Sequence, residues 1–248
     1  MIEFIGVHKS FGGKTVLANF DLRVEKGETF VIIGQSGIGK TVALRHVAGL
    51  IEPDSGEVII DGVRINGATK DVKKRLREKM GVLFQSGALL NYMSVAENVA
   101  LPLEERRLLP RKEIERLVDE KLALLQLSDA KHKAIPDISG GMKKRVALAR
   151  VLMTNPEIIL WDEPTTGLDP VMSSVINELI RRMQREFDVT SLVVTHDMKS
   201  ALYVGDRIGM LFAGRLIEVD TPQGIRNSAN PVVRQFIDGQ LEGPIKMS

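Results

Sequence analysis

Three short stretches put polar chemistry at the ends of apolar runs. The first is GQSGIGKT, residues 34–41, which follows ETFVII and opens the helical pattern TVALRHVAGL. Glycines here let successive backbone N–H groups wrap a phosphate, and the free donors of a helix start attract the same anion. A lysine and a hydroxyl at the end of the loop supply a cation for β and γ phosphates and a ligand for magnesium. The candidate nucleotide-binding residues are therefore Gly34, Gln35, Ser36, Gly37, Ile38, Gly39, Lys40, Thr41 and Val42. The second stretch, EIILWDEP, ends an apolar strand in two carboxylates. Successive strand residues point in opposite directions, so Asp162 can serve the magnesium while Glu163 activates the attacking water. The third, SLVVTHD, sets His196 at a strand end, where open α/β sheets bind ligands and where it can reach the γ phosphate. Gln85, closing GVLFQ, offers a neutral amide that can reach magnesium through water. The catalytic candidates are thus Glu163, His196 and Gln85, and the metal candidates Thr41, Gln85 and Asp162. His8, His46 and His132 lack any such setting.

Holding these groups together requires a sheet whose strands end at one edge. Short Val- and Ile-rich runs alternate with helical patterns, the mark of an α/β domain with a largely parallel sheet. Strands are expected at 2–7, 16–24, 28–33, 57–60, 81–84, 157–161, 190–195, 207–212 and 215–219. GG at 12–13 and DG at 61–62 link the early runs into pairs, which predicts an antiparallel layer beside the parallel core. From Ser94 to about Met153 helical signals replace strand signals. Ile114, Leu117, Val118, Leu122 and Leu125 fall on one face after Pro110, so a helical insert is expected inside the core. In DVKKRLREKM, residues 71–80, Val72, Leu76 and Met80 form an apolar face under solvated charges. TPQGI at 221–225 starts a helix, and Val232, Val233, Phe236 and Ile237 share a face of a last short helix that needs something to dock on. The organisation expected is one domain over 1–248: an α/β core with a β subdomain over 1–93 and 154–229, a helical subdomain over 94–153, and a C-terminal tail over 230–248.

Composition excludes several classes. The 248 residues are long enough for a large core, and a formal net charge of +2 gives no reason to expect nucleic acid as a partner. There is no cysteine, which removes disulfides, thiolate catalysis and thiolate metal sites. Glu3, His8 and Lys9 interrupt the N-terminus where a signal peptide would be apolar, and no apolar run reaches membrane-spanning length. A soluble chain is expected, one that borrows any membrane role from a partner.

ISGGMKKRVALAR, residues 138–150, carries a serine cap and two glycines before a helix starting at or near Met142, a second end ready for an anion. GQSGIGKT, Gln85, ISGGM, ILWDEP, TGLD at 166–169 and His196, in this order, resemble the ATP-binding cassette (ABC) ATPases over nearly the whole chain. The resemblance implies a P-loop core with an antiparallel β subdomain and an inserted helical subdomain, binding ATP and Mg2+. It also implies a head-to-tail pair with a second copy, in which Ser139, Gly140, Gly141 and Asp169 complete the partner's nucleotide site. Phe11 is similar to the aromatic residue that stacks on adenine. Met142 stands where the family commonly has glutamine, whose amide hydrogen bonds methionine cannot make.

LFQSGALL at 83–90, SGGMKKRVALAR at 139–150 and VRQFIDG at 233–239 followed by EGP resemble, more narrowly, the Mla-type ATPases of lipid transport. That implies an integral membrane permease, an MCE-domain protein and a STAS-domain protein as partners, and a peripheral place on the cytoplasmic face of the inner membrane. Ala88, Leu89, Leu90, Tyr92 and Met93 are then groove residues for a permease helix, or packing of the helical subdomain. An importer ATPase for a small solute and a cell-division-type regulatory cassette share the general motifs.

Overall fold

A computed structural model describes residues 1–106 and 109–246. Residues 107–108 of the helical insert and 247–248 of the tail therefore lie outside the description. Six strands form the central sheet, in the order β10 (Arg215–Asp220), β9 (Arg207–Phe212), β3 (Thr29–Ile33), β8 (Thr190–Thr195), β7 (Ile158–Asp162) and β6 (Met80–Leu83). All neighbours are parallel except β10, which returns antiparallel on β9. A second, antiparallel sheet holds β2 (Lys14–Val24), β1 (Ile2–Phe11), β4 (Ser55–Ile60) and β5 (Val63–Arg64).

β3, β7 and β8 are buried along their whole length, because both faces of the central sheet are covered. Alternation then divides each strand between two cores. Val31, Ile33, Ile159, Trp161 and Val193 face the core shared with the helical insert. Phe30, Ile32, Ile158, Leu160, Leu192 and Val194 face the antiparallel sheet and α1 (Lys40–Val47). Trp161 is fully buried and satisfies its indole N–H on Ser191 Oγ at 3.1 Å.

α2 (Lys70–Glu78) precedes β6, and the helical insert comprises α3 (Val95–Arg106), α4 (Arg111–Leu124) and α5 (Gly140–Leu152). Ile114, Val118, Leu122 and Leu125 are buried as their spacing requires, with Leu117 packed at the margin. α6 (Pro170–Phe187) and α7 (Met198–Val204) flank β8, and α8 (Pro222–Arg226) and α9 (Pro231–Asp238) follow β10. The last helix docks on its own chain: Val233 is buried, and Val232, Phe236 and Ile237 pack around it. Gln235 then clamps the following segment, accepting from Ile245 N at 2.7 Å and donating to Ile245 O at 3.1 Å.

Several boundaries move from their expected places. β1 runs on to Phe11 through irregular pairing with β2, and Phe84 and Glu157 fall outside β6 and β7. Met80 is not on the helix with Val72 and Leu76; parallel pairing with Ile158 draws it into β6. β5 was not expected, being only two residues long and exposed. α5 begins at Gly140 rather than Met142, since Ser139 is the cap and Met142 supplies the capped N–H at 3.3 Å.

Candidate functional site

The register of the central sheet gathers the candidates at one edge. Ile33 pairs with Thr195, Val194 with Asp162, and Trp161 with Leu83. The residues one or two places beyond these strand ends, Gly34, His196, Glu163 and Gln85, therefore come together in the order β3, β8, β7, β6 across the carboxyl edge. A cleft of about 310 Å³ lies there, lined among others by Val16, Ser36, Gly37, Gly39, Lys40, Thr41, Val42, Gln85, Glu163 and His196.

The loop between β3 and α1 has the shape its glycines permit. Gly39 has φ +118°, and a Cβ there would stand 2.6 Å from Val16 Cγ1. Gly34 has φ +152°, and its Cβ would meet Leu211 O at 2.7 Å. Lys40, 5% exposed, donates to Gly34 O at 2.7 Å and to Gln35 O at 2.9 Å, which folds the loop around its own ammonium. Burial pushes the Lys40 ammonium down, against the neighbouring Glu163 and Asp162 carboxylates. Gln35 contributes its carbonyl to this arrangement, and Ile38 packs at the margin of the core beneath.

Thr41 Oγ1 donates to Asp162 Oδ1 at 2.9 Å, which brings the two proposed metal ligands together. Burial raises the Asp162 carboxyl above the usual range, although the Thr41 hydrogen bond opposes it. Glu163 goes the other way. Burial raises it, but the His196 contact and the Lys40 ammonium outweigh burial and hold it below the ordinary glutamate value. His196 Nδ1 lies 2.9 Å from Glu163 Oε2, and Lys40 Nζ lies 3.5 Å from Oε1. Thr166 and Thr195 also donate to Oε2, at 3.0 and 3.3 Å. Glu163 itself has φ +50°, a left-handed backbone unusual for a glutamate.

The donor set fits a magnesium nucleotide. Among the described residues no group of three His, Cys, Asp or Glu side chains is placed to hold a metal ion. What is present is one hydroxyl, one carboxylate and a loop of backbone donors, the incomplete oxygen shell that magnesium fills with phosphate and water.

Not every candidate reaches this cleft. Phe11 closes β1, is half exposed and sits under Lys9 Nζ, 5.3 Å from the ring centroid, outside the residues lining the cleft. Ser139, Gly140 and Gly141 do not line it either; Ser139 and Gly140 are exposed at the start of α5. Asp169 is exposed and caps α6, accepting from Val171 N at 2.9 Å and Met172 N at 3.0 Å. In the segment after Gln85, Tyr92 is 81% exposed while buried Asn98 grips Leu90 through both backbone groups. Arg150 of α5 donates to Gly87 O and Ala88 O at 2.7 and 2.9 Å. Sequence reasoning gave the hydroxyls of Thr166 and Thr195 no role at Glu163, because a threonine in a turn or at a strand end is unremarkable.

The ABC transporter family model matches residues 17–166, more than half of the chain. The chain belongs to the ABC transporter family. As an ABC cassette it binds and hydrolyses ATP. It is 42% identical over 247 residues to the probable ribonucleotide transport ATP-binding protein mkl of Mycobacterium tuberculosis, covering 100% of this chain and 69% of that protein. It is 36% identical to the intermembrane phospholipid transport system ATP-binding protein MlaF of Escherichia coli, covering 99% of this chain and 91% of MlaF. Among solved structures it resembles the cassette MJ0796, dimeric in a post-hydrolysis state with ADP and Pi. The TM-score is 0.82 and the identity 33%, covering 90% of this chain and 99% of that one. The cassette is thus MlaF-like in sequence and an ABC ATPase in fold.

Proposed function

We propose that this cassette energises phospholipid transport as a head-to-tail dimer. It would act on the cytoplasmic face of the inner membrane through a separate permease, an MCE-domain protein and a STAS-domain protein. The observation that carries the reading is the near full-length similarity to MlaF. Among the described residues no helix is long and apolar enough to cross a membrane, which fits a chain that needs a membrane partner.

The residues act as follows. The N–H groups of the Gly34–Gly39 loop and the Lys40 ammonium bind the β and γ phosphates, with Phe11 stacking on adenine. Thr41 and Asp162 would hold magnesium, with Gln85 beside them, and the bound ion would neutralise charge on the phosphate oxygens. Glu163, ionised by its surroundings, takes the proton of the attacking water. His196, in contact with Glu163, steadies that carboxylate and faces the γ phosphate. Ser139, Gly140, Gly141 and Asp169, exposed or away from their own cleft, complete the partner's site.

The name of the mycobacterial relatives favours a second reading, in which the cargo is a ribonucleotide. The two part in one experiment. The chain is purified from its source with its membrane partner, extracted lipids are identified, and ATP turnover is measured in vesicles with and without phospholipid or ribonucleotide. Copurified phospholipid and turnover responsive to it support the proposal. Turnover that responds to ribonucleotide alone overturns it.

A further inference from the structure

Helix α5 buries a cation that does not line the nucleotide cleft. Lys144 is 8% exposed, and among the described residues no carboxylate lies within ion-pair distance of it. Its ammonium donates to two backbone carbonyls instead, Gln85 O at 2.5 Å and Glu163 O at 3.4 Å. Burial pulls it below the ordinary lysine value, against the field of Asp162 and Glu163. A fully solvated lysine would avoid that desolvation, so the position asks for a reason.

The two carbonyls supply one. Gln85 O follows β6 and begins the passage into the helical insert; Glu163 O belongs to the residue whose backbone is left-handed. Such a backbone persists only where its surroundings hold it. Glu163 N donates to Val194 O at 3.0 Å, fixing it to β8, and Glu163 O accepts from Thr166 N at 3.3 Å in the following turn. Lys144 adds a third hold, and this one comes from the helical subdomain. It stands five residues beyond Ser139, on the inner side of the helix whose capped end is exposed.

We propose that Lys144 is a positioning residue for hydrolysis, tying Gln85 and Glu163 to α5. The Glu163 carboxylate then meets its water only when α5 is seated against the sheet edge. The inference rests on the reading that Glu163 activates water. Because both acceptors are main-chain atoms, substitutions at 85 or 163 leave the tie in place and only a change at 144 removes it.

The test uses the full chain with Lys144→Met, which keeps the stem and loses the ammonium, and Lys144→Arg, which keeps a cationic donor. A misplacement of this kind costs up to about a hundredfold, so Lys144→Met is expected to lower kcat by about ten- to a hundredfold. KM, affinity for a fluorescent ATP analogue and Tm are expected to change little, and Lys144→Arg to recover most of the rate. In a Glu163→Gln background Lys144→Met is expected to cause no further loss. A Lys144→Met kcat within twofold of wild type overturns the proposal. So does a loss carried by KM alone, or an equal further loss in the Glu163→Gln background. Should Lys144→Met not fold, Lys144→Gln is judged by the same ratios. Wild-type turnover by Glu163→Gln alone would instead defeat the water-activating reading.

Discussion

Gly39→Ala places one methyl where the loop has no space, and its cost can be worked from two features. The residue has φ +118°, which an alanine adopts at about 1–3 kcal/mol. The new Cβ would also stand 2.6 Å from Val16 Cγ1 and 3.1 Å from Val16 O. Overpacking of that kind costs about 1–3 kcal/mol more. The total, about 2–6 kcal/mol, can appear in two places. If the loop keeps its shape, stability falls, and at roughly 2–4 °C per kcal/mol for a chain of this size Tm drops by roughly 4–24 °C. If the loop opens to relieve the clash, Tm is spared and ATP binding weakens, by about tenfold for each 1.4 kcal/mol. Gly140→Ala is the control for stability, since a Cβ there meets nothing within 4 Å and its φ is not left-handed. Its Tm is expected to hold or rise slightly. Thermal unfolding and ATP-analogue titration of both variants decide the matter. A Gly39→Ala chain with wild-type Tm and wild-type affinity together would refute the steric account of the loop.

Other outcomes follow from the same geometry. Glu163→Gln is expected to retain ATP binding while turnover falls by about 10²- to 10⁴-fold, and an isolated-cassette rate near wild type would contradict it. Because its folded pKa is depressed, Glu163 contributes stability above the unfolded glutamate range. That contribution is lost as pH falls through the lower folded value, so the Tm gap between wild type and Glu163→Gln should close in acid. Under the proposed dimer, in which the Ser139 cap serves the partner's site, Ser139→Arg is expected to cripple hydrolysis with Lys40 and Glu163 intact; normal steady-state turnover would remove the trans role. Gln235→Leu should free the segment clamped at Ile245, read as faster proteolysis after Gln240 with little change in ATPase rate.

Much of the architecture was legible because burial on both faces leaves a plain mark. β3, β7 and β8 are continuous apolar runs, and the helical insert announces itself where those runs cease. Boundaries were less legible where pairing overrode pattern. Met80 carries the spacing of the α2 face but is claimed by Ile158 across the sheet. β5 is too short to show any alternation and exists because Ile59 and Ile60 offer it partners. The docking of α9 on its own chain was half legible: its apolar face called for a surface, but periodicity cannot say whose.

The site divides along the same line. Residues whose chemistry is set by type and place, Lys40 at a helix start and Asp162, Glu163 and His196 at strand ends, could be named before any coordinates. Residues that act through backbone atoms could not, because a carbonyl carries no sequence signature. Lys144 shows the difference. In KKR it looks like one solvated charge among three, yet Gly141, Lys144 and Leu148 fall at i, i+3 and i+7 and all are buried. A cation on the inner stripe of a helix is a legible anomaly, since its desolvation must be met by acceptors nearby. Here the acceptors are main-chain oxygens just beyond the neighbouring strands β6 and β7, and the pairing of those strands is what brings them within reach of one ammonium. The helix that presents Ser139 outward is thereby fixed, five residues later, to the carbonyl of Glu163. If the proposed dimer forms through Ser139, a shift of α5 on closure would be carried by this tie to the backbone of Glu163, the residue proposed to activate water.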